Sequence, residues 1–199
     1  FPDAVRWHDK HQAVIVAVTD NAGEVVGVQL IAVTPEGCQD KERVWNPKEP
    51  DNKRAKRSVG LIGAGAVRFP GSKPLLIAEG PETALTLWAA TGRETWAMLG
   101  GLRRAADLIE GERSVILCRD DDRRGSNALK GAKAAFSDLN AKGCNATEAW
   151  PFSIAHADGS DWNDLAQESG LDAVRDRLAL FRDDAPKLAE LSIPVEEAR

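Results

Sequence analysis

Asp120, Asp121 and Asp122 stand side by side in the stretch RDDDRRG, directly after the apolar run Ser114 to Cys118. Carboxylates crowded in this way repel one another and raise each other's pKa values, and a bound cation relieves that field. Taken alone, the run serves equally well as a solvated acidic turn at a strand's end. A second acidic motif lies in LLIAEGPETAL, Leu75 to Leu85. Its apolar run reads as a strand. Pro81 suits a first helical position because its missing N–H would be unpaired there anyway, and Glu82 complements the helix dipole. Glu79 and Gly80 therefore fall at the strand's carboxyl end, where ligands of open parallel sheets bind. A third cluster, ADGSDWNDL, places Asp158, Asp161, Asn163 and Asp164 around a turn that opens a helix. There Asp161 reads equally as an N-cap and as a metal ligand.

The order of these motifs and their strand-end placement resemble the Toprim domain, the catalytic fold of bacterial-type primases, type IA and II topoisomerases and certain nucleases. The likeness covers roughly Lys73 to Leu165. It rests on Glu79-Gly80 after the first strand, on Asp120 and Asp122 as an Asp-x-Asp after the third, and on Gly125 before the next helix. Asp161 to Leu165 is similar to an Asp-x-Asn-Asp-Leu segment of the primase-like branch found in plasmid, phage and mobilisation proteins.

The resemblance implies an α/β fold, a Toprim-like parallel sheet flanked by helices with a small β-rich N-terminal subdomain. It also implies metal-dependent phosphodiester chemistry, with Glu79, Asp120, Asp122 and Asp161 serving Mg²⁺ or Mn²⁺ and Glu79 as ligand or as general acid and base. Hard cations take oxygen ligands, and Mg²⁺ keeps several waters and needs only one or two carboxylates. Primase-type synthesis of an RNA primer on single-stranded DNA leads this reading. A Toprim-type nuclease and a non-catalytic nucleic-acid-binding module are the alternatives. The implied partners are single-stranded DNA or RNA, nucleoside triphosphates, and a helicase or zinc-binding domain within a longer parent protein. The chain contains no tyrosine, so it lacks the nucleophile with which a topoisomerase holds a broken strand.

Composition fits a cytoplasmic enzyme module. The 199 residues suffice for one substantial core. The opening FPDAVRWHDKHQ has no signal-peptide pattern, and no apolar stretch reaches membrane-spanning length. Cys38, Cys118 and Cys144 lack zinc-ligand spacing and read as reduced thiols, and His8 with His11 reads as a surface pair. Net charge is -5, yet Lys53, Arg54, Lys56 and Arg57 form a local basic run, in a loop marked by Pro47 and Pro50. Such a run is a solvated loop on sequence grounds and a phosphate-binding stripe under the resemblance. Gly100 and Gly101 end a strand ahead of Arg103 and Arg104, a second candidate phosphate site with Arg124 as a third.

The positioning elements follow from periodicity. Ala13 to Thr19 and Val25 to Val33 read as a hairpin around Asp20 to Gly23, with further strands expected in Lys41 to Trp45 and Leu61 to Phe69. From Lys73 the pattern alternates strand and helix, with strands at Leu75 to Ala78, Thr95 to Leu99, Val115 to Cys118 and Ala146 to Trp150. Leu85, Trp88 and Ala89 mark the core face of the first helix, and Leu129, Ala132, Ala135, Phe136 and Leu139 that of the next. A closing helix runs from Leu171 to Phe181. The expected divisions are 1–72 as the β-rich subdomain, 73–182 as the catalytic domain and 183–199 as a charged tail or linker.

Overall fold

The computed structural model describes residues 2–122, 125–152 and 159–181. The expected hairpin is present. Strand β2 (Ala13–Thr19) pairs antiparallel with β3 (Val25–Ala32), and β1 (Val5–His8) and β4 (Lys56–Gly60) flank them in the order β1-β2-β3-β4. Lys41 to Trp45 does not form a strand: Val44 makes a single bridge to Lys53, and the prolines beyond it stop a ladder from growing. The pairing passes instead to Lys56–Gly60, whose exposed side chains carry no apolar alternation that sequence could reveal.

A second sheet holds β5 (Val67–Phe69), β6 (Ser72–Ala78), β7 (Arg93–Ala97), β8 (Ser114–Cys118) and β9 (Asn145–Ala149) in the order β5-β7-β6-β8-β9. Four of its strands are parallel, and β5 adds an antiparallel edge on β7. The segment 61–69 therefore contributes its strand to the second sheet and not to the first. Helix α1 (Pro81–Thr91) joins β6 to β7, the short α2 (Ala105–Leu108) precedes β8, and α3 (Asn127–Ala141) joins β8 to β9. Helix α4 (Trp162–Ala179) starts nine residues before the expected Leu171 and bends at Gly170, whose φ of 85° breaks the helical path.

Both faces of the second sheet are covered, which is why its central strands read as unbroken apolar runs. Leu76 and Ala78 of β6 with Ile116 and Cys118 of β8 face α1, α4 and the first sheet's Val5, Val16 and Val18. Leu75, Ile77, Val115 and Leu117 face α2 and α3. The expected core face of α1 holds for Leu85 and Trp88, which pack partly buried against the core, and is corrected for Ala89, which is exposed; Thr83, Ala84, Thr86, Leu87 and Ala90 are buried. The threonines turn inward because Asp161 and Asn163 at the start of α4 offer them polar partners. All three cysteines are free. No helix among the described residues is long and apolar enough to cross a membrane.

Candidate active site

The chain leaves β6 through α1 to reach β7 on one side and returns to build β8 on the other. The carboxyl ends of β6 and β8 thus flank the point where strand order reverses. Ile77 lies opposite Leu117 in the parallel register, so Glu79 and the aspartates that follow Cys118 emerge from neighbouring strands at one rim. The amides of Met98 and Leu99 donate to the carbonyls of Ala78 and Glu79 at 3.0 and 2.9 Å, which sets the Gly100-Gly101 loop beside Glu79. Those glycines adopt φ of 135° and 114°, conformations closed to other residues.

The third acidic cluster joins them through backbone pairing. Asp121 N–H donates to the Ser160 carbonyl at 2.8 Å, and Gly159 N–H donates to Asp121 at 3.1 Å. Asp161 caps α4: its Oδ1 accepts from the amides of Asn163 and Asp164, and the Asp164 carboxylate accepts from the Asp161 amide. The other Asp161 oxygen accepts from the Thr83 hydroxyl at 3.1 Å, while Thr86 donates to Asn163 Oδ1. One oxygen of Asp161 thus caps α4 and the other ties that helix to α1. Thr83 and Thr86 escape a reading based on acidic motifs. Their spacing of three on a helix that starts at Glu79's strand end is the signal that points to them.

Electrostatics tie the carboxylates together. Asp120 is pushed up to about 7, first by burial and then by the charges of Asp161, Glu79, Asp122 and Asp164. Glu79 is raised by burial and by Asp122. Asp120 Oδ1 is buried without a hydrogen-bond partner, an arrangement that asks for a proton or a cation. Among the described residues, no three His, Cys, Asp or Glu side chains stand close enough together to hold a metal ion. A cation at this rim would therefore rest on one or two carboxylates and water, a sparse set that Mg²⁺ accepts.

The basic candidates divide. Lys53 is paired with Glu42 at 2.8 Å, whereas Lys56 donates to Glu82 Oε2 at 2.9 Å, and Gln39 donates to the other oxygen of Glu82 at 2.7 Å. Two side chains outside the second sheet, Lys56 of β4 and Gln39, thereby grip the first turn of α1, three residues from Glu79. Arg54, Arg57 and Arg103 are exposed. Arg124 lies outside the described residues, as does Asp158. Arg104 is a structural arginine: it donates to the carbonyls of Met98, Ile62, Gly63 and Gly65 at 2.6 to 3.2 Å, fastening the 62–65 turn under the glycine loop. Arg104→Met leaves those carbonyls short of donors, so a loss of stability of about 1–3 kcal/mol is expected in denaturant titration. Nucleic-acid affinity should not change in the same protein.

Residues 74–172 match the family model described as Toprim domain. No curated protein matches the sequence. Among solved structures, the chain is similar to a DNA primase domain from Pseudomonas aeruginosa, with 15% identity and a TM-score of 0.52, covering 89% of this chain and 56% of that one. It is similar to the RNA polymerase domain of Mycobacterium tuberculosis primase DnaG, with 18% identity, a TM-score of 0.52, and coverage of 89% and 60%. A DnaG primase catalytic domain bound to ssDNA gives 17% identity, a TM-score of 0.56, and coverage of 89% and 56%. The chain therefore spans between 56% and 60% of the length of these structures. At such identities the likeness is one of fold. Coverage of 89% reaches well beyond residues 74–172, so the first sheet shares in it.

Proposed function

Because residues 74–172 are a Toprim domain, we propose that the chain carries out primase-type nucleotidyl transfer, making RNA primers on a single-stranded DNA template. The observation that carries this reading is the meeting of Glu79, Asp120 and Asp122 at one rim, with a buried Asp120 oxygen left without a partner. The inclusion of the first sheet in the likeness to primase domains supports the primase branch over other Toprim enzymes.

In this reading Asp120 and Asp122 hold Mg²⁺ or Mn²⁺. A divalent cation there supplies activation of the attacking oxygen and stabilisation of the leaving one during in-line displacement at phosphorus. Glu79 moves the proton of the attacking hydroxyl, a role that suits a carboxylate whose pKa is raised by burial and by Asp122. Asp161 acts from behind: it orients α4 and adds negative potential at Asp120. Arg54, Arg57 and Arg103, with Lys56 once Glu82 releases it, contact phosphates. The glycine loop offers backbone amides to a nucleotide. The same reading keeps 1–72, 73–182 and 183–199 as functional divisions, with β5 reaching across the first boundary; the last division lies outside the described residues. It also keeps a cytoplasmic setting and a helicase or zinc-binding domain as partners.

The deciding assay incubates the purified chain with single-stranded DNA, ribonucleoside triphosphates and Mg²⁺ or Mn²⁺. Short template-directed ribonucleotide products are expected. Strand cleavage that needs no triphosphates assigns the site to a nuclease. Salt-sensitive binding that survives Asp122→Ala, with neither products nor cleavage, assigns the chain to the binding-module class.

A further inference from the structure

A row of rings lies on the first sheet. His8 at the end of β1 and His11 in the following turn have centroids 4.6 Å apart, and His11 lies 6.1 Å from the indole of Trp45. Trp45 sits in the excursion between β3 and β4, where Val44 bridges Lys53 and Arg54 N–H donates to the Arg43 carbonyl. Three contacts hold the row in place. The indole N–H of Trp45 donates to the Arg54 carbonyl at 2.8 Å, Arg43 donates to the His11 carbonyl at 3.0 Å, and the Arg43 guanidinium lies 5.4 Å from the Trp45 centroid.

The rings are half-buried and none belongs to either hydrophobic core. Cations surround them. Desolvation, followed by the charges of His8, Lys10, Arg43 and Arg57, lowers the His11 pKa, which places Arg57 of the basic run within electrostatic reach of the row. Lys53 and Lys56 are the members of the run drawn away, to Glu42 and Glu82.

Rings in sequence beside unpaired arginines match the chemistry of an unstacked nucleic-acid strand, whose bases present π faces and whose phosphates seek cations. A duplex hides its base faces and gains only the cations. We propose that His8, His11 and Trp45 form a stacking platform for the bases of a single strand, with Arg54 and Arg57 holding its phosphates. This inference deepens the proposed function by naming where the single strand rests, and it gives the first sheet a task separate from chemistry.

The test is fluorescence anisotropy of a labelled oligo(dT) strand of about ten nucleotides, within the site sizes such surfaces take, with chelator present so that the acidic rim plays no part. Trp45→Ala should weaken binding by roughly 5- to 150-fold, the span of one lost base stack, without changing the salt dependence. Arg57→Ala should instead reduce the salt slope by about one unit. Trp45→Phe keeps a ring but loses the indole N–H, so it should bind close to wild type, and His11→Ala provides a second probe that leaves the loop hydrogen bond intact. The proposal is overturned if Trp45→Ala and His11→Ala bind as wild type does, if Trp45→Phe falls as far as Trp45→Ala, if a duplex of equal length shows the same losses, or if wild type binds no single strand. A chain that binds through Trp45 yet incorporates no nucleotide overturns only the catalytic reading. One that makes primers and ignores Trp45→Ala overturns only the platform.

Discussion

Glu79→Gln should incorporate ribonucleotides about 10²- to 10⁴-fold more slowly than wild type under single-turnover conditions, the loss typical of a removed general acid or base. Oligonucleotide affinity in the same protein should stay within a small factor of wild type. The split matters because Glu79 lies at the end of β6, on the opposite side of the strand-order reversal from the aspartates after β8. Glutamine keeps the side chain's size and its place beside the Leu99 turn, and removes only the exchangeable proton and the charge. A matching drop in affinity would mean that Glu79 works by shaping the crevice. An unchanged rate would remove it from the chemistry altogether. Asp122→Ala serves as the companion, since it weakens both the cation site and the field that raises Glu79.

Asp120→Asn is expected to melt several degrees above wild type at pH 8 in chelator. Asp120 titrates near 7 in the folded chain and near 4 when unfolded, so between those values the folded state binds the extra proton. Stability is therefore greatest below about pH 4 and is lost as pH rises through about 7, above which the deficit is constant. A difference of roughly three pH units corresponds to something on the order of 4 kcal/mol, shared with the neighbouring carboxylates that cause it. Asparagine keeps the shape without the charge and should flatten this slope. Adding Mg²⁺ or Mn²⁺ should raise the melting temperature of wild type by mass action and leave Asp120→Asn unmoved. A variant that melts below wild type at pH 8 would show that a partner, and not repulsion, governs Asp120. Excess stability in the variant is the mark of charges kept together for function.

Much of this site is legible along the chain because its signals are local. Leu75 to Ala78 and Val115 to Cys118 are buried on both faces, and that burial writes itself as an unbroken apolar run ending at an acidic turn. Pro81 and Glu82 mark a helix start by their own geometry, and the Asp161-Asp164 capping box is spelled out three residues apart. What escaped the sequence depends on which distant segment each local piece meets. Lys56–Gly60 pairs because β3 has a free edge, and Val67–Phe69 joins the second sheet because β7 has one. The inward turn of Thr83 and Thr86, the service of Arg104 to four carbonyls and the capture of Lys56 by Glu82 are equally non-local. Where acidic groups end strands is written locally, since backbone preference and burial act over a few neighbouring residues. Which charges remain unpaired and which rings share a surface is set by the packed chain, because those outcomes depend on contacts between segments tens of residues apart.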